Sequence, residues 1–116
     1  MTHTVVEKEA LLASMENDAE FLKTVIGIFL ADCPEMLARI RAGSAMRDPL
    51  EIMNASHSLR GSVSLFGAKE AVEAARILES MGKDERLEGL TEAVGVLERE
   101  IALLSDALKD IAKQTA

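Results

Sequence analysis

Apolar residues recur at intervals of three and four along most of the chain, and this period predicts α-helices. Glycine, proline, asparagine and aspartate interrupt the pattern and divide it into one short segment and four longer ones. We predict helices over residues 7–15, 19–41, 49–66, 68–81 and 85–112.

The same spacing predicts which side chains face the core. In the third helix the expected apolar stripe consists of Ile52, Ala55, Leu59, Val63 and Phe66. Nearer the N-terminus the expected inward positions include Ala10, Leu11, Met15 and Phe21. Short connections favour antiparallel neighbours, so we predict an all-α fold: an antiparallel up-down-up-down four-helix bundle with a short N-terminal capping helix. We expect one domain over residues 1–116.

Proline, aspartate and glycine residues predict several helix boundaries. Pro34 removes one backbone hydrogen bond inside the second helix, so we expect a kink just before it within a continuing helix. Asp48 is suited to the N-cap of the third helix and Pro49 to its first position. Gly67 and Gly82 are expected to end the third and fourth helices.

Composition and charge narrow the function classes. A net charge of −7 argues against binding to nucleic acid or to an anionic membrane surface. Cys33 is the single cysteine, which excludes an intramolecular disulfide. The N-terminus carries no recognisable secretory signal, and the longest uncharged apolar run near it, residues 24–31, is too short to cross a bilayer. We expect a cytoplasmic protein.

The third helix carries the candidate chemistry on its outer face. His57 lies off the apolar stripe, with Arg60 one turn further along the same face. A neutral imidazole has one nitrogen lone pair with which to attack a phosphoryl group, and a guanidinium is suited to hold phosphate oxygens. Gly61 weakens the helix by about 1 kcal/mol relative to alanine, which indicates a close approach by another group or packing against another helix. Ser64 is the serine best placed to touch a phosphate, and Met53 shares this face.

These residues carry a resemblance to a known family. The run His57-Ser58-Leu59-Arg60-Gly61-Ser62, followed by Phe66-Gly67-Ala68 and a helical segment that ends at Glu79, resembles the signature of histidine phosphotransfer (Hpt) domains. The segment from Phe29 to Leu37, with its internal proline, resembles the long helix of that family.

The resemblance implies roles for individual residues and for partners. It makes His57 the phosphorylated nucleophile and Arg60 the cation that stabilises the phosphate, at a position where the family usually has lysine. Gly61 and Gly67 would be small residues near the site. The expected partners are receiver domains of response regulators and a hybrid sensor histidine kinase, with Mg²⁺ bound by the receiver. We expect no cofactor or metal of the protein's own, and a monomer.

No glycine-rich nucleotide-binding loop occurs in the sequence, so the phosphoryl group should come from another protein. The resemblance accordingly implies a phosphotransfer intermediate without a kinase or ATP site of its own. The outer helix face is otherwise uncharged and should let an acidic receiver approach. Two alternatives stay open: an inactive Hpt-like binding module, and a structural helical bundle, for example a homodimer through the Met53 face, in which His57 is incidental.

Overall fold

The computed structural model describes residues 6–115, and this range contains five α-helices and no β-strand. The helices are α1 (Lys8–Ser14), α2 (Ala19–Ala45), α3 (Pro49–Ser64), α4 (Lys69–Asp84) and α5 (Leu90–Gln114). Consecutive long helices pack against each other, and α5 closes the bundle against α2, while α1 packs on α2. The predicted all-α bundle with a short N-terminal helix is confirmed.

The core of the bundle is almost entirely aliphatic. The large side chains with less than 2% exposure are Leu22, Ile26, Ile40, Ile52, Leu59, Val63, Leu78, Leu97, Ile101, Leu104 and Leu108. The rings of Phe29 and Phe66 meet edge to face, with their centroids 5.3 Å apart, and join α2 to the end of α3. The buried side chains of α3 hold that helix in one orientation, and its remaining residues therefore face solvent.

Aspartate side chains cap the N-termini of α2 and α3. Asp18 accepts a hydrogen bond from the backbone N–H of Phe21 at 3.0 Å. Asp48 accepts one from the N–H of Glu51 at 3.2 Å, with Pro49 in the first turn of α3. Each cap contributes about 0.5–2 kcal/mol of helix stability, and the predicted start of α3 is confirmed.

Several predicted boundaries were wrong by a few residues. α2 continues to Ala45, because the chain turns at Arg47, which adopts a left-handed conformation with φ of 49°. α3 ends at Ser64, two residues before the predicted end, and Gly67 forms the following turn with φ of 65°. α5 begins at Leu90 rather than near residue 85. α2 does continue through Pro34, as expected.

Gly82 was predicted, from its residue type alone, to end α4, and that prediction was wrong. The helix continues to Asp84 and ends where Glu85 adopts φ of 55°. Gly82 is buried, and a β-carbon there would lie 2.5 Å from the carbonyl oxygen of Pro49 and 2.7 Å from the backbone nitrogen of Met53. The absent side chain therefore lets α4 approach the backbone of α3.

Two predicted core positions were wrong. Ala10 is exposed, and Phe21 leaves 52% of its surface exposed, although Leu11 and Met15 are buried as expected. Ala10 follows the helical period, but Leu11 is the residue of α1 that is buried where the helix packs on α2, and Ala10 is left outside that contact. None of the helices in the described range is long and apolar enough to cross a membrane.

Candidate functional site

His57 projects from the middle of α3 into solvent. Its neighbours on the inner face, Ala55 and Leu59, are fully buried, whereas 65% of the histidine side chain is exposed. Arg60 lies one turn further along the same helix, and its Nη2 is 3.3 Å from His57 Nδ1. An exposed imidazole and a cation therefore lie next to each other on α3, as their spacing in the sequence predicted.

Glu79 of α4 joins these two residues. Its Oε2 lies 2.8 Å from His57 Nδ1, and its Oε1 lies 2.7 Å from Arg60 Nε. Arg60 Nη2 also donates to Oε2 over 3.4 Å. We call His57, Arg60 and Glu79 together the imidazole cluster.

The carboxylate in this cluster is ionised at neutral pH. Burial, the largest single influence, raises the pKa of Glu79, but hydrogen bonds from His57 and Arg60, together with their charges, lower it more. The pKa of Glu79 consequently lies below its ordinary value, and its oxygens act as acceptors.

An ionised Glu79 determines which ring nitrogen of His57 carries the proton. Because the carboxylate only accepts, a neutral imidazole donates its Nδ1–H to Oε2. The lone pair is then on Nε2, and in the described part of the chain no group is hydrogen-bonded to that atom. The approach of Arg60 Nη2 to Nδ1 is a contact between two donors in this tautomer.

The guanidinium of Arg60 is held by an ion pair and by one long hydrogen bond. Its Nε lies 2.7 Å from Glu79 Oε1, and its Nη2 donates to Oε2 over 3.4 Å. A guanidinium has five N–H donors, so this arrangement leaves donors available for an anion near His57. The cluster therefore combines an accessible nucleophilic nitrogen with a cation beside it.

Comparisons with known proteins identify the family and the fold of this chain. A model of the Hpt domain family matches residues 24–111, which include all three residues of the cluster. The chain belongs to the Hpt domain family. No curated protein sequence matches it. The structure is similar to the crystal structure of histidine-containing phosphotransfer protein B (HptB) from Pseudomonas aeruginosa PAO1, with a TM-score of 0.88, 19% sequence identity, and coverage of 99% of this chain and 100% of that one.

Membership of this family places the chain among the phosphotransfer proteins of phosphorelays, which work with receiver domains and kinases. The full-length structural match shows that this Hpt domain has the same fold as HptB. The individual roles of the site residues remain predictions that rest on their geometry.

The remaining predicted site residues lie near the cluster but outside it. Ser64 is exposed, and its hydroxyl donates to the carbonyl oxygen of Arg60 at 2.7 Å, so donation to a phosphate would require that bond to break. Gly61 is exposed, and a β-carbon there would have no neighbour within 4 Å. Packing against another helix therefore does not explain why a glycine occupies this position. Gly67 lies in the turn between α3 and α4.

Two further residues, Met53 and Glu79, affect the surface around this face. Met53 is partly buried against Gly82, so much of its side chain is not available for docking. The prediction of an otherwise uncharged face concerned α3 alone, and the structure adds beside that face the carboxylate of Glu79 from α4.

Sequence reasoning did not identify Glu79 as part of the site, although it ends the segment that carries the family resemblance. A helical wheel places residues within one helix and does not show contacts between helices. The turn offers a signal, since His57 precedes Gly67 by ten residues and Glu79 follows it by twelve. Residues at similar distances from the turn of an antiparallel hairpin lie side by side.

An apolar groove lies between α2 and the C-terminal end of α3. It has a volume of about 190 Å³ and is lined by Val25, Ile28, Phe29, Asp32, Met36, Ser62, Leu65 and Phe66. Ile28 and Leu65 are more than half exposed. The described residues contain no group of three His, Cys, Asp or Glu side chains that could hold a metal ion.

Proposed function

We propose that this Hpt domain accepts a phosphoryl group on Nε2 of His57 from the phosphoaspartate of one receiver domain and passes it to the aspartate of another. The observation that carries the proposal is the hydrogen bond of His57 Nδ1 to Glu79, which leaves the lone pair on Nε2 of a largely exposed side chain. Phosphoryl transfer depends mainly on positioning and on charge stabilisation, and the imidazole cluster contributes to both.

In the proposed reaction, Nε2 attacks phosphorus in line with the bond to the aspartyl oxygen. Arg60 offsets the negative charge of the phosphoryl oxygens, because its guanidinium stands one turn from the nucleophile. The receiver supplies Mg²⁺ and its own acidic pocket, and the Hpt domain supplies no cofactor. The return step uses the same atoms in reverse.

The groove between α2 and α3 supports the docking of a receiver. On α3 its lining begins at Ser62, which follows His57 by about one and a half helical turns, and the exposed Ile28 and Leu65 offer apolar surface there. The partners we propose are receiver domains of response regulators and of a hybrid sensor histidine kinase, which a monomeric Hpt domain meets in the cytoplasm.

The decisive experiment is incubation with a panel of phosphorylated receiver domains and Mg²⁺. We expect label on the wild type, labile in acid and stable in alkali as a phosphoramidate is, and no label on His57→Gln. Receiver binding without label would instead support the inactive binding module. Neither binding nor label across the panel would support a structural bundle.

Arg60→Glu tests the cation in the same assay. We expect transfer to slow by about tenfold or more, because the substituted carboxylate faces both the phosphoryl group and Glu79. Arg99→Glu, at an exposed position on α5, is the control with the same change in charge. Equal rates for the two variants would remove Arg60 from the proposed mechanism, and circular dichroism would confirm that both remain folded.

A further inference from the structure

We propose that Glu79 keeps the proton on Nδ1 of His57 after phosphorylation, so that the phosphohistidine remains a phosphoimidazolium that readily releases its phosphoryl group. This inference rests on the proposed function of His57. It makes Glu79 a positioning residue that acts through the imidazole, and it concerns the phosphorylated state rather than the first attack.

The electron balance of phosphoryl transfer shows why the phosphorylated imidazole must keep its Nδ1 proton. The Nε2 lone pair forms the bond to phosphorus, and the electron pair of the broken phosphorus–oxygen bond leaves with the aspartyl carboxylate. The ring then carries hydrogen on Nδ1 and phosphorus on Nε2, and therefore a positive charge. In the return step the pair of the N–P bond goes back to Nε2, and the ring leaves as neutral imidazole.

Loss of the Nδ1 proton to water would block that return. The phosphorylated ring would become neutral, and it could leave only as an imidazolide anion, which is a much poorer leaving group. A carboxylate hydrogen-bonded to Nδ1–H opposes this loss, because it stabilises the cationic ring as it does behind other catalytic imidazoles. Glu79 Oε2, at 2.8 Å, occupies the required position.

The surroundings of Glu79 strengthen this effect. Only 19% of its side chain is exposed, so water screens its charge less than it would at the open surface. Oε2 lies 2.8 Å from His57 Nδ1, whereas the shortest approach of Arg60, from Nε at 2.7 Å, is to Oε1, and its Nη2 donates to Oε2 over a longer 3.4 Å. Arg60 can thus remain beside the carboxylate while Oε2 continues to accept from the ring.

Two ion pairs on the adjoining helices do not involve the imidazole cluster. On α4, Arg76 forms an ion pair with Glu73. Between α2 and α3, Arg39 pairs with Glu51, nearly two turns before His57. In the described range, Glu79 is the acidic side chain in contact with the imidazole, and Arg60 is the cation beside it.

The test measures the proton directly in the phosphorylated protein. A His3→Gln background leaves His57 as the single histidine, and phosphoramidate labels it without any receiver. We would follow the ring ¹⁵N and the ³¹P signals against pH in this background, in Glu79→Gln and in Glu73→Gln. The last variant removes the same charge from α4 at a residue paired with Arg76.

We expect the pH midpoint for loss of the Nδ1 proton to fall by about one unit or more in Glu79→Gln, as removal of an adjacent opposite charge requires. Glu73→Gln should shift it far less. Glu79→Asp, a second variant that retains a carboxylate, should lie between Glu79→Gln and the parent. An unchanged midpoint in both Glu79 variants would overturn the inference.

Transfer from the labelled protein to a receiver provides the functional readout. In Glu79→Gln, the fall in transfer rate with rising pH should move to lower pH by the same amount as the NMR midpoint. Failure of His57 to be labelled, or to pass its label to any receiver, would overturn the proposed function and this inference together. Normal labelling and transfer, with an unshifted pH profile, would overturn the inference alone.

Discussion

The inner and outer faces of α3 differ in what their residues contribute. On the inner face, Leu59 and Val63 are fully buried and pack into the bundle. On the outer face, His57 is largely exposed and Gly61 has open space around it. Burial of the inner face gives the helix its position, and the outer face contributes little to stability. Stability and chemistry are therefore carried by different residues of the same 16-residue helix.

The contact with α4 connects the two faces. Near the start of α3, Gly82 allows the backbones to meet, and one turn earlier along α4, Glu79 reaches His57. The chemistry of the outer face consequently depends on how closely the helices pack. Substitutions on each face, and at the contact between the helices, test this division of roles.

The largest expected effect on stability comes from the inner face. Leu59→Ala should lower the free energy of unfolding by about 2–5 kcal/mol, since it leaves a cavity at a fully buried position. Leu65→Ala, at an exposed position one residue beyond α3, should change it by about 0.5 kcal/mol or less. Urea denaturation of the two variants checks the comparison, and similar losses would contradict it.

Gly82→Ala tests the helix contact. We expect a loss of about 1–3 kcal/mol, because the new β-carbon would meet backbone atoms of α3. Displacement of α4 should also move Glu79 and slow phosphoryl transfer. The control is Gly95→Ala in α5, where a β-carbon has no neighbour within 4 Å and should stabilise by about 0.5–1 kcal/mol. Thermal melts with the same sign for both variants would contradict the packing role of Gly82.

Gly61→Ala should separate stability from activity on the outer face. The open space at this position predicts stabilisation by about 0.5–1 kcal/mol, as for other glycines inside helices. Transfer should nevertheless slow if the receiver approaches the backbone closely, as the sequence predicts. Denaturation and transfer assays on the same preparation measure both effects. A stabilised variant with an unchanged transfer rate would show that the receiver does not need this gap.

The smallest expected effect is the dependence of stability on the charge of Glu79. Because its pKa is lowered by folding, its stabilisation is present above the ordinary value of about 4.3 and is lost as the pH falls through the folded value. The difference in unfolding free energy between wild type and Glu79→Gln should therefore shrink as the solution is acidified below that value. Urea titrations at several pH values measure it, and a difference that grows in acid would contradict the ion pairing.

Sequence reasoning predicted the helices better than their ends. The period of apolar residues in α3 and α5 spans many positions, so each residue adds to the same signal. The position of a helix end depends on only a few residues, and each of them can have several structural roles. Gly67 adopts a left-handed conformation and forms a turn, whereas Gly82 stays helical and accommodates a neighbouring backbone. The two glycines look alike in the sequence because the difference lies in what surrounds them.

The sequence by itself determined that α3 has a buried stripe, that His57 lies outside it, and that Arg60 stands one turn away. These features follow from the geometry of one helix, which repeats every 3.6 residues. Tertiary structure decided that Glu79 meets both residues and thereby directs the proton to Nδ1. That contact depends on the register between α3 and α4, which many packed side chains and the close approach at Gly82 set together.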